Sequence, residues 1–173
     1  MSPRTIGELP HPDAATIQAV QASCADLLDR PEVLAESFYT HLFEAVPHIR
    51  ELFPEDMSRQ TTRMAQAIIQ VVNHLDRPAQ MQNYLMRLGR YHHEKWGLGP
   101  EDYPCVGRAM VEAVHDLSPT WSSSFSSAWI LVYEWIAASM LAGATASVAP
   151  PEPKPAGRCP VGARGTAPGR TAG

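Results

Sequence analysis

Apolar residues recur at spacings of three and four along almost the whole of residues 13–148, and prolines divide this pattern into helix-length pieces. No stretch alternates apolar and polar residues for long enough to predict a strand. The pattern restarts at Pro31, Pro47, Pro78 and Pro100. A proline at the first position of a helix removes no hydrogen bond, because its N–H would be unpaired there anyway. The sequence therefore predicts an all-α fold of six or seven helices.

Polar residues before the apolar runs predict several helix starts. Asp13, Ser58 and Ser118 each precede such a run, and their side-chain oxygens can accept hydrogen bonds from the first free amides of a helix. The helix that follows Asp13 is expected to run to Arg30, where a proline breaks it. Gly97 is expected to end the long helix that begins at the proline of position 78.

The composition changes abruptly at Ala149, where proline and glycine become dominant. Such a segment cannot bury enough apolar surface to offset the entropy lost on ordering. We therefore predict a disordered Pro/Gly-rich tail over residues 149–173, a single folded domain over residues 13–148 and an N-terminal extension over residues 1–12. Across the whole chain 45% of residues are hydrophobic and 18% are charged, which is typical of a globular protein.

The distribution of charge argues against nucleic acid as a partner. The formal net charge is -4, and the last 25 residues contribute +3, which leaves -7 on the rest of the chain. An acidic body is repelled by DNA and by anionic lipid. Residues 128–148 are apolar enough to resemble a membrane span, but Glu134 lies among them, and a carboxylate in lipid is costly. We expect no membrane partner.

The cysteines indicate a reducing compartment. Cys24, Cys105 and Cys159 are scattered and form no CxxC pair, and the first 13 residues contain no apolar run that could serve as a signal peptide. We therefore expect the protein to be cytoplasmic.

Two adjacent histidines, His92 and His93, stand near the end of the long helical pattern. Neighbouring residues on a helix point about 100° apart, so the pair cannot chelate one metal from the same side. A single histidine in this position is more often a surface or core residue than a metal ligand. The aromatic residues Tyr39, Phe43 and Phe53, at a second helix and a helix corner, strengthen the metal interpretation because they could line a flat apolar cofactor.

Two motifs resemble those of bacterial single-domain globins, which are related to the haem domain of flavohaemoglobins. The first motif comprises Phe38, Tyr39, Leu42, Phe43, Pro47, Leu52, Phe53 and Pro54. The second comprises His93, Trp96, Gly97, Leu98, Pro100, Glu101, Tyr103, Val106 and Gly107. The last helix, with Ala128, Trp129 and Tyr133, is also similar. The resemblance implies a globin fold of six to eight helices around a haem pocket.

The resemblance also implies roles for individual residues. His93 would ligate the iron of haem b, while Tyr39 and Gln60 would face the bound gas and would be the catalytic residues of any reaction. The cofactor would lie among Phe43, Phe53, Arg63, Met64, Leu88, Leu98, Tyr103 and Val106, with the arginine near a propionate. His92 stays open as the alternative ligand, because Leu88 lies one turn before it and would face the haem with it.

The leading functional hypothesis is reversible binding of oxygen, carbon monoxide and nitric oxide at a five-coordinate iron. A tyrosine hydroxyl and a glutamine amide would each stabilise bound oxygen by roughly 1.5 to 3 kcal/mol, which predicts slow oxygen release. Flavohaemoglobins also use a glutamate in the last helix to polarise the proximal imidazole. The matching stretch here, residues 142–148, contains no acid, which favours simple ligand binding.

Two other functions stay open. The first is nitric oxide dioxygenation or a peroxidase-like reaction, for which a separate reductase would have to return electrons to the iron. The second is a haem-based gas sensor or partner-binding module that acts through the tail. The last helix is apolar on more than one face around Glu134 and Trp135, so a homodimer contact there is a further hypothesis.

Overall fold

A computed structural model describes residues 9–146 of the chain. Its six α-helices are α1 (Ala14–Ser23), α2 (Pro31–Ala45), α3 (Ser58–Asn73), α4 (Pro78–Trp96), α5 (Tyr103–Leu117) and α6 (Ser123–Thr145), with a 3-10 helix at Pro47–Leu52. No strand is present between residues 9 and 146, and the all-α prediction is confirmed. The expected tail over residues 149–173 lies outside the described residues.

Several predicted helix boundaries are confirmed. Asp13 caps α1, and its carboxylate accepts a hydrogen bond of 2.8 Å from the Thr16 amide. Prolines open α2, the 3-10 helix and α4. Gly97 follows α4 with a φ of 65°. Only glycine adopts this left-handed conformation without strain, so α4 ends sharply there.

Other predicted boundaries are wrong, because a local pattern does not reveal which of several neighbouring polar groups caps a helix. Ser58 is the first residue of α3, and the carboxylate of Asp56 accepts the hydrogen bond from the Ser58 amide at 2.9 Å. Ser118 ends α5, whereas Ser122 caps α6 through the Phe125 amide at 3.3 Å. Similarly, α1 ends at Ser23 instead of Arg30, and α5 begins three residues after Pro100.

The long apolar helix α6 forms the centre of the core. It packs most extensively against α4, and also against α1 and α5. Trp129 and Trp135 of α6 are buried. The Trp129 indole donates a 2.8 Å hydrogen bond to the hydroxyl of Ser23, and that hydroxyl donates to the Val20 carbonyl at 2.8 Å. His11, which the sequence places in the N-terminal extension, lies with its ring edge against Trp135.

By length and composition alone, α6 is the one helix of residues 9–146 that could cross a membrane. Core helices of soluble proteins meet the same criterion. The buried tryptophans and the contacts with three other helices give α6 the environment of a core helix. The sequence-based expectation that α6 does not span a membrane stays a prediction.

The packing separates two groups of elements. On one side, α2 packs on α3 and on the 3-10 helix. On the other side, α4 packs on α6 and makes little contact with α3, although α3 and α4 are consecutive in the chain. The pairing of α2 with α5 connects the two groups. The face of α3 that carries Gln60 is therefore not covered by the histidine-bearing helix.

Candidate functional site

Three aromatic rings meet where α2, the 3-10 helix and α3 converge. Tyr39 stacks on Phe43, four residues along α2, with ring centroids 5.6 Å apart. Phe53, at the end of the 3-10 helix, contacts both rings edge-on, at 5.5 Å from Tyr39 and 5.3 Å from Phe43. Edge-on and offset arrangements at these distances are the favourable geometries for aromatic pairs. We call these three residues the aromatic cluster.

Gln60 of α3 supplies the polar contact of the aromatic cluster. Its side-chain amide donates a 2.8 Å hydrogen bond to the hydroxyl oxygen of Tyr39. A tyrosine hydroxyl that accepts one bond still has its own proton to donate. Burial raises the pKa of Tyr39, and the hydrogen bond from Gln60 opposes this more weakly. Tyr39 therefore stays protonated as a hydrogen-bond donor at neutral pH.

Arg50 contacts both the aromatic cluster and the turn that follows the 3-10 helix. Its guanidinium lies 5.4 Å from the centre of the Phe43 ring. It also donates hydrogen bonds to the carbonyl oxygens of Phe53, Pro54 and Glu55 at 3.2, 2.9 and 3.1 Å. These contacts fix the corner that holds Phe53. Sequence reasoning missed Arg50, because its partners lie on a turn whose shape no local pattern reveals.

Most of the apolar residues predicted to line the pocket have an intermediate exposure. The half-buried apolar residues of the predicted pocket are Phe43, Phe53, Met64, Leu88, Leu98 and Val106. Large apolar residues of the core are instead almost completely buried, as Leu34 and Leu85 are. Arg63 is exposed on α3, next to Met64. The predicted pocket residues thus present apolar surface that the rest of the protein does not cover.

The two histidines of α4 have different partners, as expected for neighbouring helical residues. His92 directs Nδ1 to the carbonyl oxygen of Leu88 in its own helix, at 2.8 Å. His93 directs Nδ1 to the carbonyl oxygen of Leu98, beyond the turn at Gly97, at 2.9 Å. A carbonyl can only accept, so each ring donates from Nδ1, and in the neutral form of either ring the lone pair lies on Nε2.

The surroundings of the two imidazoles also differ. The ring of His92 contacts that of Trp96 at 5.2 Å. Burial lowers the pKa of His92, and the hydrogen bond to Leu88 opposes the shift. Either imidazole is therefore chemically able to ligate a metal through Nε2. The spacing of the second motif, not the geometry, favours His93.

Tyr103 begins α5 and is buried, with a hydroxyl that has no hydrogen-bond partner among the described residues. Burial, and to a lesser extent the charge of Asp102, raises the pKa of Tyr103 to about 12. Tyr133 of α6 donates a 2.6 Å hydrogen bond to the carbonyl oxygen of Tyr103. The Tyr133 ring lies against Gly107, where a Cβ would come within 2.3 Å of a ring carbon.

The structure brings some predicted site residues together and leaves others apart. One connected group lies on α2, the 3-10 helix and α3, and it comprises Tyr39, Phe43, Phe53 and Gln60. Arg63 and Met64 also lie on α3. The other predicted site residues lie on α4, the loop after it and α5, and they are His93, Leu88, Leu98, Tyr103 and Val106. Within residues 9–146, no three His, Cys, Asp or Glu side chains are grouped so that they could hold a metal ion. Iron held by one imidazole would therefore need ligands from a cofactor.

Comparisons with known proteins identify the family to which the chain is similar. The family model described as Globin matches residues 36–140, more than half of the chain. An uncharacterized globin-like protein of Aquifex aeolicus is 25% identical over 127 residues, which cover 73% of this chain and 89% of that protein. A neuroglobin of Danio rerio is 27% identical over 120 residues, which cover 61% of this chain and 75% of that protein.

Flavohemoproteins and a solved globin structure extend the comparison. A flavohemoprotein of Bacillus subtilis is 26% identical over 129 residues, which cover 72% of this chain but only 32% of that protein. The chain thus spans about a third of the length of this relative. A bacterial globin structure from Campylobacter jejuni matches with a TM-score of 0.66 and 22% identity, covering 78% of this chain and 97% of that one.

The fold is all-α over residues 9–146, with the aromatic cluster on α2 and at the end of the 3-10 helix and two histidines near the end of α4. The chain belongs to the globin family. Proteins of this family bind haem and use it to bind gases. The expected globin fold is confirmed by the family match and by the structural match.

Proposed function

We propose that this globin binds haem b between α3 and α4 and reversibly binds oxygen, carbon monoxide and nitric oxide. The observation that carries the proposal is the hydrogen bond from Gln60 to Tyr39, because it fixes a buried tyrosine hydroxyl as a donor inside an aromatic cluster. Such a donor stabilises a bound gas that carries partial negative charge. We propose His93 as the axial ligand and Tyr39 and Gln60 as the residues that contact the gas.

The residues present fit a porphyrin. The half-buried Phe43, Phe53, Met64 and Val106 offer apolar surface that a porphyrin ring would cover. The exposed Arg63 is suited to a propionate, because a guanidinium binds carboxylates through two parallel hydrogen bonds. We propose that Leu88, Leu98 and Tyr103 complete the proximal side.

When bound, haem would supply the iron that binds a diatomic gas, while the chain's own residues would hold the cofactor and orient hydrogen-bond donors. The Leu98 carbonyl holds the His93 proton on Nδ1 and so presents Nε2 as the ligand atom. On the opposite side, Gln60 holds the oxygen of Tyr39, so that the tyrosine proton points away from the amide. Tyr39 is buried, and a hydrogen bond in such a low-dielectric setting is stronger than one in water.

The decisive experiment is an absorption spectrum of the purified full-length protein, as isolated and after reduction under carbon monoxide. We expect haem bands in both states. His93→Ala should weaken haem affinity by more than about 100-fold, since loss of a ligand costs more than loss of an outer partner. His92→Ala is the matched control, because its Nδ1 also bonds to a carbonyl, and it should keep the haem bands.

Colourless protein after expression with ample haem would overturn the proposed function. Loss of the haem bands in His92→Ala but not in His93→Ala would instead reassign the ligand and leave the function standing.

Nitric oxide dioxygenation with a separate reductase is the second candidate. It is favoured by the similarity to flavohemoproteins, of which this chain matches about a third. The absence of an acid at Ala144 and its neighbours weighs against it, since the proximal imidazole then has no carboxylate partner in that stretch. Mixing the oxygenated protein with nitric oxide, with and without a flavin reductase and its electron donor, separates the two. Repeated consumption of nitric oxide with the reductase would support the dioxygenase, whereas failure to regenerate ferrous iron would remove it.

Location and assembly stay proposals as well. We propose a cytoplasmic location from the sequence pattern alone, in which the three cysteines are scattered and form no CxxC pair. A homodimer through α6 is supported by Ile130 and Leu131, which are 49% and 51% exposed. Light scattering of the wild type and of Leu131→Glu would test the dimer.

A further inference from the structure

Two glycines lie where α4 and α6 cross: Gly89 in α4 and Gly143 in α6. Both are buried. A Cβ at Gly89 would lie 1.9 Å from the carbonyl oxygen of Met140, and a Cβ at Gly143 would lie 1.9 Å from the carbonyl oxygen of Met86. The clashing atoms belong to the backbone of the opposite helix, so no side-chain rotation could relieve the overlap. The two helices therefore meet backbone to backbone.

The contact is reciprocal. Each helix offers a carbonyl at one position and a glycine three positions later, as Met86 and Gly89 do in α4, and the two helices run in opposite directions. Glycine Cα–H groups at close helix crossings commonly point at facing carbonyl oxygens, which is a weak but recurring hydrogen bond. Glycine is otherwise among the least favourable residues inside a helix. Close approach of the backbones explains its use at both facing positions.

This crossing is the main support of the histidine-bearing helix. Gly89 lies one helical turn before His93, and α4 makes its most extensive contact with α6 while it barely touches α3. A shift of α4 relative to α6 would therefore displace His93 directly. Adding a Cβ at either glycine requires the clashing atoms to separate by at least about 1 Å, because real Cβ contacts are essentially never shorter than 3.0 Å.

We infer that Gly89 and Gly143 are positioning residues that lock α4 against α6 and thereby fix the placement of the proximal imidazole. The inference rests on the proposed function in one respect, namely that a histidine of α4 is the axial ligand. The lock itself is a property of the chain, because it is made of backbone contacts between two helices.

The first test uses the haem-loaded, full-length protein with Gly89→Ala and Gly143→Ala. The readout is the iron–histidine stretching band of the ferrous, gas-free protein, together with the rate of haem loss to an excess of a haem scavenger. Both variants should shift the band and raise haem loss by roughly 10-fold or more. A band that stays unchanged in both variants overturns the lock.

Two variants serve as controls. In Gly99→Ala, the added Cβ meets only the side chain of Glu101, at 2.8 Å, although the residue is six positions after His93 in the chain. Met140→Ala removes a half-buried side chain from α6 but leaves its backbone carbonyl against Gly89. Both controls should keep the iron–histidine band of the wild type. A shift in Met140→Ala as large as in Gly89→Ala would mean that side-chain packing, not the glycine crossing, sets the histidine position.

A second measurement covers variants that do not fold or do not take up haem. Hydrogen exchange of the wild-type chain, with its haem removed, should show residues 86–93 of α4 protected to a degree similar to the facing part of α6. Fast exchange of α4 beside slow exchange of α6 would overturn the lock. Failure of the wild type to bind haem would defeat the proposed function alone, since the exchange experiment still tests the crossing.

Discussion

The buried tyrosines on the two sides of the candidate haem site differ in the hydrogen bonds of their hydroxyl groups. On the distal side, Tyr39 accepts a hydrogen bond from Gln60 and packs between two phenylalanines. On the proximal side, Tyr103 is equally buried, yet its hydroxyl has no partner among the described residues. On that side the Tyr133 hydroxyl instead donates a hydrogen bond to the backbone carbonyl oxygen of Tyr103.

The contrast distinguishes a buried hydroxyl that can donate to a ligand from a buried hydroxyl that has no hydrogen-bond partner among the described residues. A buried hydroxyl with a satisfied acceptor site and a free proton is prepared to donate to a ligand. A buried hydroxyl without any partner costs free energy in the folded chain, typically roughly 1–3 kcal/mol. The distal tyrosine is therefore a preorganised donor, whereas the proximal one is a local weak point unless something else in the assembled protein bonds to it.

The largest effect should come from removing the distal donor. Tyr39→Phe deletes the hydroxyl and leaves the aromatic contacts, so the oxygen dissociation rate of the haem-loaded protein should rise roughly 10- to 100-fold. Stopped-flow displacement of oxygen measures this rate. Carbon monoxide is the control ligand, because it is a poorer hydrogen-bond acceptor and its release should change far less. Equal changes for both gases would mean that Tyr39 acts by shape alone.

Removing the Tyr103 hydroxyl on the proximal side should have a smaller effect, and it should increase the stability of the protein instead of lowering it. Tyr103→Phe removes an unpaired buried hydroxyl, so the free energy of unfolding of the haem-free protein should rise by roughly 1 kcal/mol. Tyr133→Phe is the matched control: it breaks a 2.6 Å hydrogen bond and should lower the same quantity by roughly 1 kcal/mol. Urea unfolding of both variants decides. Destabilisation by Tyr103→Phe would show that the hydroxyl has a partner, such as a buried water.

The smallest effect is a loss of stability at alkaline pH. The pKa of Tyr39 is raised, and that of Tyr103 is raised to about 12, in each case chiefly by burial. Below pH 10 both tyrosines are protonated in the folded and unfolded chains, so their contribution is complete. As the pH rises from about 10 towards 12, the unfolded chain loses these protons first, and stability should fall. Over this pH range the urea concentration at the midpoint of unfolding should decrease for the wild type, and it should decrease less for Tyr103→Phe.

The sequence predicted elements better than it predicted contacts between them. Pro31, Pro47 and Pro78 mark real helix starts because proline acts locally, through its fixed φ and its missing N–H. Ser58 and Ser118 were misleading, because nearby polar groups compete for the same free amides. The all-α class followed from periodicity alone, whereas the globin fold needed the two motifs.

The site was predictable to the extent that motifs named its residues. Tyr39 and Gln60 were identified by resemblance, but their hydrogen bond joins residues 21 positions apart and depends on how α2 and α3 pack. Gly89 and Gly143 carry no local signal, since an isolated glycine in a helical pattern looks like a minor defect. The choice between His92 and His93 stays a prediction, because both imidazoles have their Nδ1 bound to a carbonyl.

Arg50 has a consequence for how the protein resists digestion. Solvent-exposed turns between helices are the usual points of attack by proteases, which need several residues in extended form. The turn after the 3-10 helix is exposed at Pro54 and Glu55, yet one guanidinium holds three successive carbonyls of it. Enzymatic nicking at this corner would have to break all of these bonds first, so an otherwise vulnerable peptide segment is shielded by a single side chain.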